Sequence, residues 1–378
     1  MRRLLPALLP LLAACSSTPS DSHTGPSAGP GAAPSAARAN AGVPLAGAVP
    51  ADELIQPGET HFAHLWKLTK GVTQAAEGYW SNDGTRLCYQ GMPQGVDCDQ
   101  IFVIERDGTH RRISNGFGAT TCSYFLPGDK QLLYATTAAW MQDCPPRPDM
   151  SKGYVWAVRP EYDIYVQDLA TGKERALTTE FGYDAEATVS PDGQRIVFTS
   201  TRSGDLELWT CKLDGSDLVQ VTNTPGYDGG AFYSHDGKWL VFRSTAFAPG
   251  KEAEELADYQ ELLSRWLVRP THMELMMIRP DGSERTQVTH LGVASFGPYF
   301  FPGDQRILFS TNKWATNPKG PDFDLAAVDV SGEGLERLTT YSGFDGFPML
   351  SPDGKWLAFC SNRGGGPHET NLFLAQWK

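Results

Sequence analysis

No nucleophile elbow on a strand-to-helix turn, no His-Glu-x-x-His helix, no zinc-type cysteine pair and no phosphate loop can be read in this sequence. The commonest hydrolase, metalloprotease and nucleotide-binding chemistries therefore lose their local signatures. Basic residues are in deficit, 32 against 44 acidic ones, for a formal charge of -12. That balance excludes phosphate-backbone binding as a main role and argues against a nucleic-acid partner. It favours cations, basic segments or neutral ligands. Long hydrophobic runs are absent beyond Leu4–Leu12, which is too short for a mature transmembrane helix. The eight histidines are scattered. His272, His290 and His368 alone could meet on one face.

Glycine and proline are plentiful, at 39 and 27 residues. This suits many short strands joined by tight turns. Arg2 and Arg3, the apolar run and Leu12-Ala13-Ala14-Cys15 resemble a bacterial lipoprotein signal. The resemblance implies that residues 1–14 are a signal peptide and that Cys15 is lipidated. Ser16, where an Asp would favour inner-membrane retention, implies an outer-membrane anchor facing the periplasm. Residues 15–58 are rich in Ser, Pro, Ala and Gly and are expected to form a disordered tether.

From residue 59 to 378 one pattern recurs six times: a small or aromatic residue, a Pro/Asp/Gly turn, then alternating apolar residues. Four of its forms are Trp80-Ser-Asn-Asp-Gly, Val189-Ser-Pro-Asp-Gly, Tyr233-Ser-His-Asp-Gly and Leu350-Ser-Pro-Asp-Gly. Two others read Phe125-Leu-Pro-Gly-Asp and Phe300-Phe-Pro-Gly-Asp, where Pro-Gly favours a type II turn. Third strands follow near Asp99, Asp163, Glu207, Glu274, Asp324 and Asn371. Fourth strands carry Ile-Ser, Leu-Thr or Val-Thr. The fourth strand lacking at the C-terminus is found ahead of the first hairpin, as Lys67-Leu68-Thr69. The expectation is an all-β, six-bladed β-propeller closed by its N-terminal strand, which removes the sheet edge. The second and fourth blades are longer by about 20 residues each.

These Ser-Pro-Asp-Gly hairpins and Leu-Thr strands resemble the repeats of TolB-like propellers. The resemblance implies binding of an envelope protein or peptide at the channel mouth, by a monomer without a catalytic residue. It differs from TolB in having a tether where TolB has a small α/β domain, and in the expected acylation.

Antiparallel strands place the four-to-one and two-to-three loops on one face. There the repeated Gly-aromatic-Asp brings Tyr183, Asp184, Tyr227, Asp228, Phe344 and Asp345, with Glu77 and Glu186 close by. The functional reading is an acidic, aromatic-rimmed ligand funnel. The competing reading has each Asp cap a turn and each aromatic pack between blades. No cofactor is certain; a calcium ion in the channel is the one considered. Cys88, Cys98, Cys122 and Cys144 should pair in an exported protein. Cys88–Cys98 and Cys122–Cys144 is the favoured pairing, with Cys211 and Cys360 as buried free thiols. Asp205 or Glu207 is expected to pair with Arg202, and Asn371 with Arg363. Leu256, Tyr259, Leu263 and Trp266 are spaced as one helical stripe inside the fourth-blade insertion. The alternative function is a propeller lyase or glycan-processing hydrolase with a histidine metal site on the upper face.

Overall fold

A computed structural model describes residues 45–151, 153–317, 322–366 and 369–378. The signal peptide, Cys15 and most of the tether fall outside these residues, as does His368.

Each blade is an antiparallel sheet whose strands follow in sequence order. Blade 1 holds Val72–Trp80, Leu87–Pro93, Gln100–Ile104 and His110–Arg112. Blade 2 starts at Thr120, blade 3 at Asp184, blade 4 at Asp228, blade 5 at Ser295 and blade 6 at Asp345. Phe62–Lys67 pairs with Asn371–Trp377, so the N-terminal strand closes blade 6. The chain is a six-bladed propeller, as the repeat count requires.

The recurrent motifs have direct physical tasks. In the Ser-x-Asp-Gly hairpins, Ser81, Ser190, Ser234 and Ser351 each donate to the Asp two residues on, at 2.6–2.7 Å. Gly128 and Gly303 sit at the third turn position with φ of 86° and 92°, as a type II turn demands. The terminal Ser or Thr of each fourth strand accepts the backbone N–H that opens the third strand's core. Ser114, Thr178, Thr222, Thr289 and Thr339 do this in blades 1–5 at 2.8–3.0 Å. Thr69 does it for Leu372 at 3.0 Å, so the ring closure repeats the chemistry of every other blade.

Those same hydroxyls engage the third-strand polar residue, as Thr222 with Glu207 at 2.5 Å and Thr69 with Asn371 at 3.0 Å. This corrects the expected arginine pairing. Arg202 and Arg363 turn instead to Asp184 and Asp345, on the first strand of their own blades, each at 2.6 Å. The acid that opens a third strand sits beside the fourth strand, and the second-strand Arg reaches the other way.

The folded part begins earlier than residue 59. Val49–Pro50 adds a fifth strand to blade 6 through Val49↔Lys67, and a short 3-10 turn follows at Asp52–Leu54. Leu45 is buried, and Ala46 N–H donates to Arg106 O on the lower side of blade 1. Ala51, Leu54 and Ile55 bury against blade 6, which a composition-based tether boundary could not show.

Candidate functional site

The first strand of every blade carries a β-bulge at one equivalent place. A bulge frees one residue from the ladder and re-aims its side chain. Here the freed residues are Glu77, Cys122, Glu186, Gly230, Gly297 and Phe347, all left-handed with φ between 52° and 61°. Four are not glycine and cost about 1–2 kcal/mol each in that conformation. They form a ring on the propeller axis, polar on blades 1–3 and small or apolar on blades 4–6.

Gly230 leaves room that Arg243 fills; a Cβ there would collide with Arg243 Nη1. Arg243 pairs with Glu186 and Tyr227 Oη. Glu186 also accepts from Thr199 Oγ1 at 2.7 Å and Gly230 N at 3.0 Å. The Glu186 carboxylate is therefore fully engaged. Glu77 is not: its Oε2 is sealed from solvent and has no hydrogen-bond partner. Burial pushes the Glu77 carboxyl up to about 7, opposed by the Cys122 thiol beside it. Burial also raises the Cys122 thiol far above its ordinary range, with Glu77 and Glu186 adding to the effect. The thiolate that would make Cys122 reactive is thus disfavoured.

The ring lines a narrow space of about 20 Å³. That holds on the order of one water. Below it, Tyr79, Tyr124, Phe232 and Tyr299 interlock with centroids 5.5–6.0 Å apart and form a floor. Above it, Trp156 stands edge-on to Tyr227 and Phe296 at 6.4 and 6.1 Å, with the Arg243 guanidinium 5.1 Å from its ring.

Trp156 is placed there by the two insertions. Trp156–Ala157 of the blade 2 insertion pairs with Leu267–Val268 of the blade 4 insertion, bridging the upper side of blade 3. The expected helix is present at Glu252–Leu263. Leu256, Tyr259 and Leu263 pack with Val158, Leu206 and Val268 as one cluster, and Tyr259 Oη donates to Asp205.

The aspartates of the Gly-aromatic-Asp loops are not at an open mouth. Asp184, Asp228 and Asp345 are at most 2 % exposed. Each holds an arginine: Arg202 at 2.6 Å, Arg285 at 2.5 Å and Arg363 at 2.6 Å. Arg363 is itself sealed and is shared with Glu59 at 3.0 Å. Tyr183 and Tyr227 are buried, and Phe344 packs on Phe323 and Phe347 at 6.0 and 6.1 Å. Of the expected funnel, only Glu77 and Glu186 reach the axis. Arg243, their neighbour there, has no repeat signal, because it fills a gap that Gly230 leaves in another strand.

The disulfide joins Cys98 to Cys144, with Cα atoms 5.5 Å apart. Cys88 and Cys122 are free, which corrects the expected pairing. Cys88 lies opposite Val103 in mid-sheet and donates to Tyr79 O and Ser123 O, while Cys98 sits in the loop above. Cys122 points to the axis. Cys211 and Cys360 are buried and free, as expected.

A calcium ion takes six to eight oxygen ligands. The chamber offers one carboxylate not engaged by Arg243, and the guanidinium lies beside it. The lining does not fit that ion. Among the described residues no group of three or more His, Cys, Asp or Glu side chains could hold a metal. His272 Nδ1 lies 3.8 Å from Glu255 Oε1 and His290 is exposed, so the two do not form a site.

The outer rim differs. Among the described residues the exposed large apolar side chains include Phe117, Trp140, Met150, Tyr154 and Phe181, all in upper loops around blade 2. Phe181 is 62 % exposed and Trp140 49 %. No repeat marks them, since they belong to the insertion and to single loops.

Fold and axial ring together define a six-bladed β-propeller with a sealed axis and an elaborated upper face. Residues 148–249 match the family profile of the TolB beta propeller domain. An uncharacterized protein of Agrobacterium fabrum is 35% identical over 170 residues, 38% of this chain and 57% of the relative. A TolB homolog of Chlorobium chlorochromatii is 27% identical over 193 residues, 50% of this chain and 37% of its own length. The chain thus spans between a third and three-fifths of these curated relatives. Among solved structures, a TolB of Agrobacterium tumefaciens superposes with a TM-score of 0.52 at 16% identity, covering 81% of this chain and 91% of that one. A gluconolactonase of Xanthomonas campestris gives 0.57 at 15%, covering 88% and 98%. An oligogalacturonate lyase in complex with manganese gives 0.51 at 14%, covering 88% and 97%. At such identities these likenesses show the fold alone. The protein is a six-bladed propeller that is similar to TolB.

Proposed function

We propose that this protein is a binding scaffold of the bacterial cell envelope that holds a protein or peptide partner on its upper face, without catalysing a reaction. The observation that carries this reading is that Phe117, Trp140, Met150, Tyr154 and Phe181, all exposed, fall in the upper loops around blade 2, with Trp140 and Phe181 in ring contact. Exposed apolar groups gathered in one place mark interaction sites far more often than scattered ones do. The axis, by contrast, has room for about one water, too little for a sugar or a lactone.

The Cys98–Cys144 bond supports an oxidising compartment. The lipobox-like Leu12-Ala-Ala-Cys15 supports lipid anchoring in the outer membrane. The described chain enters from below blade 1, at Ala46 against Arg106.

In-cell cross-linking from photoreactive residues placed at upper-face and lower-face positions tests the scaffold reading. It expects one recurrent partner from the upper positions. Capture from the lower face alone, or turnover of a sugar or lactone by the purified protein, would overturn it. Palmitate labelling that persists in Cys15→Ser would remove Cys15 as the anchor site, and a parent that takes no label would remove the anchor.

A further inference from the structure

The upper rim between blades 2 and 3 holds a cleft of about 150 Å³, several times the volume of the axial chamber. Its walls are Glu180, Phe181, Gly182, Asp184, Ser200 and Arg202. Asp184 and Arg202 neutralise one another at 2.6 Å, and Ser200 Oγ accepts from Arg202 Nε at 2.8 Å. Glu180 is exposed and has no ion-pair partner among the described residues. One net negative charge is left on the cleft.

Phe181 is the one aromatic wall of the cleft, and rings from two other loops support it. Phe181 stands between Trp140 and Trp266, edge to face, with centroids 5.8 and 6.0 Å away. Trp140 is held by its Nε1–H, which donates to Asp163 Oδ2 at 2.8 Å. Trp266 follows the insertion helix with φ of 58°, and its N–H closes the last turn on Leu263 O at 2.8 Å. Helix ends give such a left-handed position to glycine, and a bulky residue there is an outlier. Strain kept at one half-buried residue beside the Phe181 ring points to a task for that residue.

We propose that this cleft is the docking site for an extended polypeptide segment carrying a Lys or Arg next to a bulky apolar side chain. The inference rests on the scaffold reading and names the place and the partner chemistry. A cation is attracted both by the faces of Trp and Phe rings and by the Glu180 carboxylate. The apolar neighbour covers Phe181, and aromatic anchors beside a pocket are the usual energetic centre of an interface. The charge of -12 steers a basic segment toward the protein.

The probe is the fluorescein-labelled peptide SGKFKGS, with SGEFEGS as its acidic counterpart, titrated onto the full mature chain. The basic peptide is expected to bind at least tenfold more tightly and to weaken with salt. Phe181→Ser should lower that affinity tenfold or more, and Glu180→Gln threefold or more. Trp266→Gly should also lower it tenfold, without lowering the melting temperature, because glycine relieves the backbone. Equal binding of the two peptides, or affinity unchanged by Phe181→Ser, overturns the proposal. So does a dimer that Phe181→Ser converts to monomer in sedimentation while neither peptide binds, since the occupant is then a second copy. Cross-linkers at position 181 and at Tyr341, in the upper loop between Glu336–Arg337 and Asp345–Leu350, separate this idea from its parent. Capture of a partner from 341 but not 181 overturns the cleft alone; capture from neither overturns both.

Discussion

The axis and the rim of this propeller are built on opposite principles. On the axis, charges are sealed and matched: Arg243 sits between Glu186 and Tyr227 under Trp156, above a floor of interlocked rings. At the rim, Phe181 and Trp140 stand in solvent beside an unpaired Glu180. A polar group held inside with its partners supports one native state, whereas an apolar group held outside awaits a partner. Symmetry follows the same division. The axial ring repeats in all six blades, and the rim cluster occurs once.

The largest effect should come from breaking the axis. Arg243→Ala leaves Glu186 buried without its counter-ion and should cost about 3–5 kcal/mol, measured by denaturant unfolding. The strap that carries Trp156 is next. Cys98→Ser with Cys144→Ser removes a cross-link spanning 46 residues, and the loss should be about 2–4 kcal/mol. The same measurement on Cys88→Ser should show no disulfide-sized loss, because that thiol is free.

A smaller effect tests the Glu77 carboxyl, whose Oε2 has no partner. Glu77 holds its proton more tightly folded than unfolded, since burial raises it from 4.5 to about 7. Its contribution to stability is therefore fully present below about pH 4.5 and fades as pH rises through about 7. Glu77→Gln should match the parent near pH 4 and exceed it at pH 8 by on the order of 3 kcal/mol. Equal gain at both pH values would show that Glu77 is not the titrating group. The smallest stability effect belongs to the rim: Phe181→Ser should change unfolding free energy by less than about 0.5 kcal/mol.

What the sequence disclosed follows the same line between repeated and single features. The hairpin glycines, the Leu-Thr strands and the closing strand recur, so Thr69 could be assigned to blade 6 before any coordinates. The Gly-aromatic-Asp loops recur too, and they are architectural: their aspartates hold Arg202, Arg285 and Arg363. Of the two readings open for these loops, the buried ion pairs favour the architectural one. The ordered segment before residue 59 was hidden because its few anchors, Leu45, Ala51 and Leu54, are set among tether-like residues. Strand height and bulge position, not spacing, decide which thiols meet, so Cys88 and Cys122 stay free. Phe181 and Trp140 carry no pattern at all; only their exposure together reveals them.

The most direct measurement sets the two regions side by side: affinity of SGKFKGS for Phe181→Ser and for Glu77→Gln. The account predicts a loss of tenfold or more for Phe181→Ser and a change within twofold for Glu77→Gln. A large loss for Glu77→Gln with none for Phe181→Ser would contradict it and return function to the axis.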